Sequence, residues 1–581
     1  MVVAGRIFKA LLVSLLLGLS AYAVAKINLF GLESASDDLA DGVYQRITAA
    51  DYGADRKGQR EISVVYLDES SMEAMKGFGW NRFPPTYDQQ WQMFDDVMSV
   101  GGAPPAAVYA DYVYTGQGGP NEGWPAFLAG VAKATHADQW KDARGCQADP
   151  LTKIACIEAS GGTPLIFAKP SPAELDIFTD VQRQLDQVAV LAPALVGARA
   201  YPMVITYDFD RATAQARGVH NFDISPAMAL YAAWCLRQDD ACGIVEFKVL
   251  KTRADAALAR SPLAPMNATG TFNAPLDVVW GSRPDPAYLA MTKAVTGQAA
   301  PCRGTGSGWI ERLGEQAAGL RGPGAGARQE CPYALTLGYD RIVSGLGLQQ
   351  SDLQRLLAGK LVLMGGQFRA SNDWVDSPVQ GEAPGVHLHA MAIDNLMEDG
   401  PDYRRTGVQV LDSDLLKSLL IAALAFCGVM GVMARNSLLD HAQETRAEAK
   451  LRARVYAPLY LGIFGASIGV VVLATWLGVV YAHRAPINWI GISFCVLGFL
   501  FYATRETLPA DVLGSIEHLR WVQRTMAALR LFRQHLKFEE DRLVTRRASR
   551  PASSAEGAEP AHSAPPAAQS TPKEAPAHVQ S

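Results

Sequence analysis

The sequence shows no excess of positive charge: 53 Lys/Arg stand against 58 Asp/Glu, a formal charge of −5 over 581 residues. A whole-chain nucleic-acid binder would be basic, so nucleic acid is not an expected partner. Charged residues are scarce, at 19% against 49% hydrophobic. No two of the eight cysteines share a C-x-x-C spacing, which argues against a structural zinc site. Ser70 and Ser71 have no identifiable base, so no nucleophilic constellation is legible and an enzyme is not expected. The length allows several domains and a large core, which excludes a single small module.

The charge that is present is segregated. Residues 27–414 hold 32 Lys/Arg and 46 Asp/Glu, while the remainder holds 21 and 12. One acidic block therefore sits between hydrophobic ends flanked by basic residues. The run Ala10–Leu29 is long enough to cross a bilayer and reads as a retained anchor. A cleaved signal peptide is the alternative, because Ala21-Tyr22-Ala23 and Ala23-Val24-Ala25 are small-x-small sites. Leu415–Ala434, Ala457–Ala482 and Ile487–Ala503 read as three further spans.

Basic clusters after the second and fourth runs place those segments inside, by the positive-inside rule. The expected fold class is thus an α/β extracytoplasmic domain plus four transmembrane α-helices and a cytoplasmic helix. The expected layout is an anchor over 1–30, a periplasmic domain over 31–412 and three spans over 413–504. A cytoplasmic helix over 505–547 and an Ala/Pro-rich disordered tail over 548–581 complete it. The expected location is a bacterial inner membrane, multi-pass, with the large domain periplasmic. Six cysteines fall in the exported block, and neighbour pairing gives Cys146 with Cys156, Cys235 with Cys242, and Cys302 with Cys331.

Within the block, Ile62–Leu67 reads as a buried strand, Tyr87–Val100 as a helix and Ala106–Ala110 as a second strand. Pro164–Phe167 is a short third strand, and Lys360–Met364 a late one stopping at Gly365-Gly366. Alternation of strand and helix implies an α/β domain with parallel neighbours.

These segments carry a resemblance. Val64-Val65-Tyr66-Leu67-Asp68-Glu69-Ser70-Ser71 with Trp80-Asn81-Arg82-Phe83-Pro84 resembles the opening of CHASE2 sensor domains. Ala107-Val108-Tyr109-Ala110-Asp111-Tyr112 is similar to the next strand. Leu357–Gly365, Asn372–Pro378 and Pro384–Asn395 resemble the closing segment, and three apolar runs after it are typical of the family. The resemblance implies an extracytoplasmic sensory module without its usual fused output domain. The fewer than 80 residues after the last run contain no Gly-rich nucleotide loop, kinase-like His box or paired cyclase carboxylates.

Ligands in an open α/β sheet bind beyond the carboxyl ends of the strands. Asp68, Trp80, Arg82, Asp111, Asp373, Trp374 and Asp376 are the candidate ligand-binding residues, as a polar, aromatic-rimmed pocket or a multi-carboxylate cation site. The plainer reading makes Asp68 and Asp111 helix caps or loop ties. His387 and His389, two apart on a stretch read as extended, share a face; with no third ligand identifiable, they are read as structural and no metal or cofactor is expected.

The segment Asp511–Val544 carries an apolar stripe from Val512 to Leu536 at an average spacing near 3.5, consistent with either a coiled coil or a basic helix on anionic lipid. The expected function is sensory: a small-molecule or envelope ligand is received outside and a signal passes through the 511–544 helix to a separate protein partner. Membrane lipids and assembly into a homo- or hetero-oligomer are the other expected associations. The alternative is a structural or assembly subunit of an envelope complex that docks through the exported domain.

Overall fold

The computed structural model describes residues 41–46, 48–49, 52, 57–80, 83–99, 102–114, 123–170, 180–194, 200–206, 222–260, 270–282, 289–290, 332–343, 348–368 and 373–405, with positions 15, 19, 421, 422, 469 and 473. All of them belong to one of two compact units, made of residues 12–424 and 465–495. The second unit, residues 1–11, 425–464 and 496–581, lies outside the described residues.

The core is a six-stranded, all-parallel sheet. Its strands are β1 (Ile62–Asp68), β2 (Ala107–Ala110), β3 (Leu165–Lys169), β4 (Val190–Pro193), β7 (Leu335–Gly338) and β8 (Leu361–Gln367), in the order β4-β3-β2-β8-β1-β7. Parallel strands covered on both faces read as unbroken apolar runs rather than alternation. β2 and β3 are buried at every position, and β1 and β8 at nearly all of theirs. Two antiparallel hairpins, β5 (Val204–Thr206) with β6 (Phe222–Ile224) and β9 (Trp374–Ser377) with β10 (Gly381–Pro384), stand apart from the sheet.

The helices follow from local signals. α1 (Lys57–Glu61) leads into β1. α2 (Glu69–Met75) starts at Asp68, whose carboxylate accepts the Ser71 N–H as an N-cap. α3 (Tyr87–Ser99) buries Met93, Phe94 and Val97 on one side, and Phe94 meets the rings of Phe127 and Phe167 edge-on. α4 (Trp124–Ala134), α5 (Ala137–Trp140), α6 (Pro150–Ala159), α7 (Asp180–Asp186), α8 (Pro226–Arg237), α9 (Val245–Leu258) and α10 (Gln350–Leu357) follow. α4, α6 and α8 each carry Pro at a first-turn position, where its missing N–H costs no helical bond. α11 (Gly385–Asp399) is buried on almost every side.

The sheet bears out the α/β parallel core, and the expected strands and the expected 87–100 helix sit within a residue or two of their expected bounds, apart from the carboxyl end of β8. The expectation of four transmembrane helices is corrected, and with it the multi-pass inner-membrane location. Among the described residues no helix is long and apolar enough to cross a membrane. The physical reason is length: α11, with 15 residues, is the longest helix described, and spans about 22 Å against a hydrocarbon core of about 30 Å. The four apolar runs, apart from six isolated positions, lie outside the described residues, as do 406–420, the 511–544 stripe and the 548–581 tail.

Two smaller corrections bear on the site. β8 does not stop before its glycines, because Gly365 and Gly366 pair with Tyr66 and Leu67 of β1. His387 and His389 are not on an extended stretch but on α11, where two residues apart face opposite ways. The disulfides Cys146–Cys156 and Cys235–Cys242 are present; Cys302 and Cys331 lie outside the described residues.

Candidate functional site

β2 points Tyr109 and Asp111 to the same side, since residues two apart on an extended chain share a face. That side meets α11, where the His389 ring lies edge-on to Tyr109 at 5.1 Å. Tyr109 donates its hydroxyl hydrogen to Asp111 Oδ1 at 2.8 Å. The other oxygen, Oδ2, lies 3.8 Å from His389 Nε2, beyond hydrogen-bond range. One turn earlier on the same face of α11 is Gly385. Its N–H donates to the Asp373 carbonyl at 2.9 Å. A Cβ there would fall 2.3 Å from Asp373 Oδ1, so only glycine lets this carboxyl lie against the helix start.

Asp373 therefore lies at the start of α11 and Asp111 beside His389 one turn on. Burial pushes the Asp373 carboxyl up to about 8, and the negative charge of Asp111 adds to the shift. The Tyr112 hydroxyl is raised by burial and then by the same two acids. His389 is held in its neutral form by burial, with Asp111 opposing.

The tautomer of His389 follows from its other nitrogen. Tyr201 Oη lies 2.7 Å from Nδ1 and accepts the Ala227 N–H at 3.2 Å. When the one hydroxyl hydrogen of Tyr201 goes to Nδ1, the imidazole proton resides on Nε2, on the side of Asp111. Among the described residues that N–H has no hydrogen-bond acceptor, although His389 is only 2% exposed.

Of the sequence-derived candidates, the structure brings together Asp111 and Asp373. Asp68 is engaged as the cap of α2, accepting from Ser71 N–H and the Ser70 hydroxyl. Trp80 is fully buried and stacks on Tyr339 at 5.4 Å. Trp374 donates its indole N–H to the Phe368 carbonyl at 3.1 Å. Asp376 is exposed on the β9–β10 hairpin opposite Glu382. Arg82 lies outside the described residues.

No protein-family model, curated protein or solved structure matches the chain. Nothing in those comparisons identifies a CHASE2 domain, so the site stands on its own geometry. Among the described residues no group of three or more His, Cys, Asp or Glu could hold a metal ion.

Tyr109, Tyr201 and the site-facing role of His389 were not among the sequence-derived candidates. Tyr109 was findable, two residues before Asp111 on the same strand. His389 was findable by treating 385–399 as a helix, which puts Gly385 and His389 in one row. Tyr201 carries no sequence signal, because its partners come from distant segments. The assembled groups are two partly exposed carboxyls, one of them pushed up to about 8, and a buried imidazole whose Nε2 lies 3.8 Å from the other. Such a set can bind and orient a polar molecule; it contains no activated nucleophile.

Proposed function

We propose that this chain is a receptor, in the manner of a CHASE2-like sensory domain, that takes a small polar ligand at Asp111, Asp373 and His389 and passes the bound state to a separate protein. One observation carries the reading: two partly exposed acids, Asp111 and Asp373, follow the carboxyl ends of the neighbouring parallel strands β2 and β8, beside the buried His389, which is where open α/β sheets bind their ligands.

The route outward is short in the fold. Asp373 belongs to the segment between β8 and the β9–β10 hairpin, and α11 begins where that hairpin ends. A ligand that draws Asp373 toward Asp111 therefore acts on the start of α11, and differential affinity for the two arrangements is what shifts the population between them.

The test is a thermal-shift screen of the full chain against broad small-molecule sets, with Asp111→Asn and His389→Phe as controls. Compounds that raise the wild-type midpoint by several degrees and leave both variants unmoved support the reading. A screen with no compound distinguishing wild type from Asp111→Asn sinks it.

A further inference from the structure

We propose that the Cys235–Cys242 disulfide is a site of reversible exchange with a small-molecule dithiol, entered at Cys242, and that its opening loosens the turn 238–243 and the first turn of α9. This role is independent of ligand reception at Asp111 and Asp373.

The two disulfides of the described residues differ in access. Cys146 and Cys156 are both fully buried. Cys235, in the last turn of α8, is equally buried, but its partner Cys242 is only partly so. A thiolate must reach a sulfur before it can attack, so exchange selects the accessible bond and passes over the enclosed one. Cys146–Cys156 is then a staple, tying the segment before α6 to that helix.

The backbone on the accessible side is held in a form it would not keep unaided. Ala241 and Cys242 have φ of 51° and 57°, and Gly243 follows at 73°. Left-handed backbone costs a glycine nothing but penalises a residue with a Cβ, and two such residues in succession persist only where their surroundings fix them. Here the cross-link to α8 fixes them, together with short turn bonds. The N–H groups of Ala241, Gly243 and Ile244 donate to the carbonyls of Gln238, Asp240 and Ala241 at 3.1, 3.0 and 3.1 Å. Lys251 of α9 reaches back to donate to the Gln238 carbonyl.

The same turn starts α9. Ile244 stands at the N-cap position, where no side chain accepts from the helix, so the order of the first N–H groups depends on the turn before them. The change on opening stays local. Ala241 and Ile244 are buried, and Phe247, Leu250, Ala254 and Ala257 anchor the rest of the helix.

The exchange balances in two displacements. One thiolate of the dithiol attacks the Cys242 sulfur and forms a mixed disulfide; the Cys235–Cys242 bond breaks, and its electron pair leaves on Cys235, which takes a proton. The second thiolate of the dithiol then attacks the dithiol sulfur of that mixed disulfide, closing an oxidised ring. Cys242 leaves as a thiolate and is protonated in turn. The chain gains two electrons and two protons, and the dithiol loses both.

The experiment exposes the full, oxidised chain to dithiothreitol under native conditions. Samples taken over time are alkylated with iodoacetamide, and the labelled cysteines are located by peptide mass spectrometry. Cys235 and Cys242 should become labelled together, roughly tenfold or more faster than Cys146 and Cys156. Hydrogen exchange of the same samples should rise over 238–249 and stay unchanged over β1, β2 and β8.

Equal rates for the two disulfides overturn the exchange site, since both bonds would then open with the whole domain. Faster reduction of Cys235–Cys242 with no rise over 238–249 overturns the loosening of the turn. The entry sulfur is tested by single substitutions. In Cys235→Ser the remaining Cys242 should be alkylated in the folded chain, while in Cys242→Ser the remaining Cys235 should resist. The reverse order overturns entry at Cys242. Both reduction rates are read within one wild-type chain, so they decide even where a variant fails to fold.

Discussion

The two ends of α11 each meet buried acids and tyrosines, and they are built to opposite effect. Toward its carboxyl end, Asp394 is fully buried and accepts from the hydroxyls of Tyr52 at 2.5 Å and Tyr333 at 3.1 Å. Asn395 donates to the Tyr52 oxygen and closes on both the N–H and the carbonyl of Val279. Hydrogen bonds there run group to group and tie 52, 279 and 333 to one helix. At the amino end, Asp111 and Asp373 are partly exposed, and His389 stands 3.8 Å from Asp111 with no hydrogen bond between them. A bonded buried network rigidifies, whereas acids that reach solvent stay available to a ligand. One helix therefore carries a fastening at one end and a reception site at the other.

The largest expected effect tests the fastening. Asp394→Ala removes the carboxylate to which the Tyr52 and Tyr333 hydroxyls donate and should lower stability by about 4 kcal/mol, at roughly 2 kcal/mol per lost buried bond. Urea unfolding of the full chain, followed by tryptophan fluorescence, measures it. A loss under about 1 kcal/mol would erase the contrast between the two ends. Gly58→Ala comes next. A Cβ there would stand 2.2 Å from Asp394 Oδ1 and 2.8 Å from its Cα. Backbone cannot yield as a side-chain tip can, so about 2 kcal/mol of overpacking cost is expected.

A smaller effect belongs to the other end. Tyr201→Phe removes the donor to His389 Nδ1 and the acceptor of the Ala227 N–H, for about 1–2 kcal/mol. It also frees the imidazole to place its proton on Nδ1. Nitrogen chemical shifts of labelled histidine should show an Nε2–H tautomer in the wild type and a mixture in the variant. An unchanged tautomer would mean that Tyr201 does not set it.

Much of the sheet was legible because of how it is buried. Ile62–Asp68, Ala107–Ala110 and Leu361–Gln367 are covered on both faces and read as apolar runs. β4 and β7 are as short as β2 and were not anticipated, although β4 lies in the apolar run Val188–Pro193. α11 hid for a related reason: with thirteen buried residues among fifteen, it shows no polar stripe for a 3.6-residue period to reveal. Asp111 and Asp373 were found because acids at strand ends are informative, but their pairing was not, since α11 creates it. Asp68 shows the limit of that rule, as it caps α2 instead. The spans expected from hydropathy alone found no counterpart among the described helices, where apolar length is used to cover a sheet.

The sharpest separation of the two ends is a substitution that changes nothing at low pH. Asp373→Asn should leave stability within about 0.5 kcal/mol of wild type below about pH 4, where the carboxyl is protonated in the folded and the unfolded chain alike and an amide has nearly its shape. The sign of the pH dependence then follows. A carboxyl held at about 8 in the folded chain and near 3.8 when unfolded gives the native state the extra proton between those values. Stability from this group is present at low pH and is lost as pH rises toward 8. His387 works in the other direction: burial lowers it to about 4, so its contribution is lost as pH falls from about 6.5 toward 4. The two effects oppose each other between about pH 4 and 6.5, so wild-type midpoints should stay nearly level there and fall from about 6.5 toward 8. Asp373→Asn should abolish that fall, uncover a rise in stability from about pH 4 to 6.5, and be the more stable protein from neutrality upward. If the fall toward pH 8 survives the substitution unchanged, Asp373 does not carry the extra proton of the folded chain.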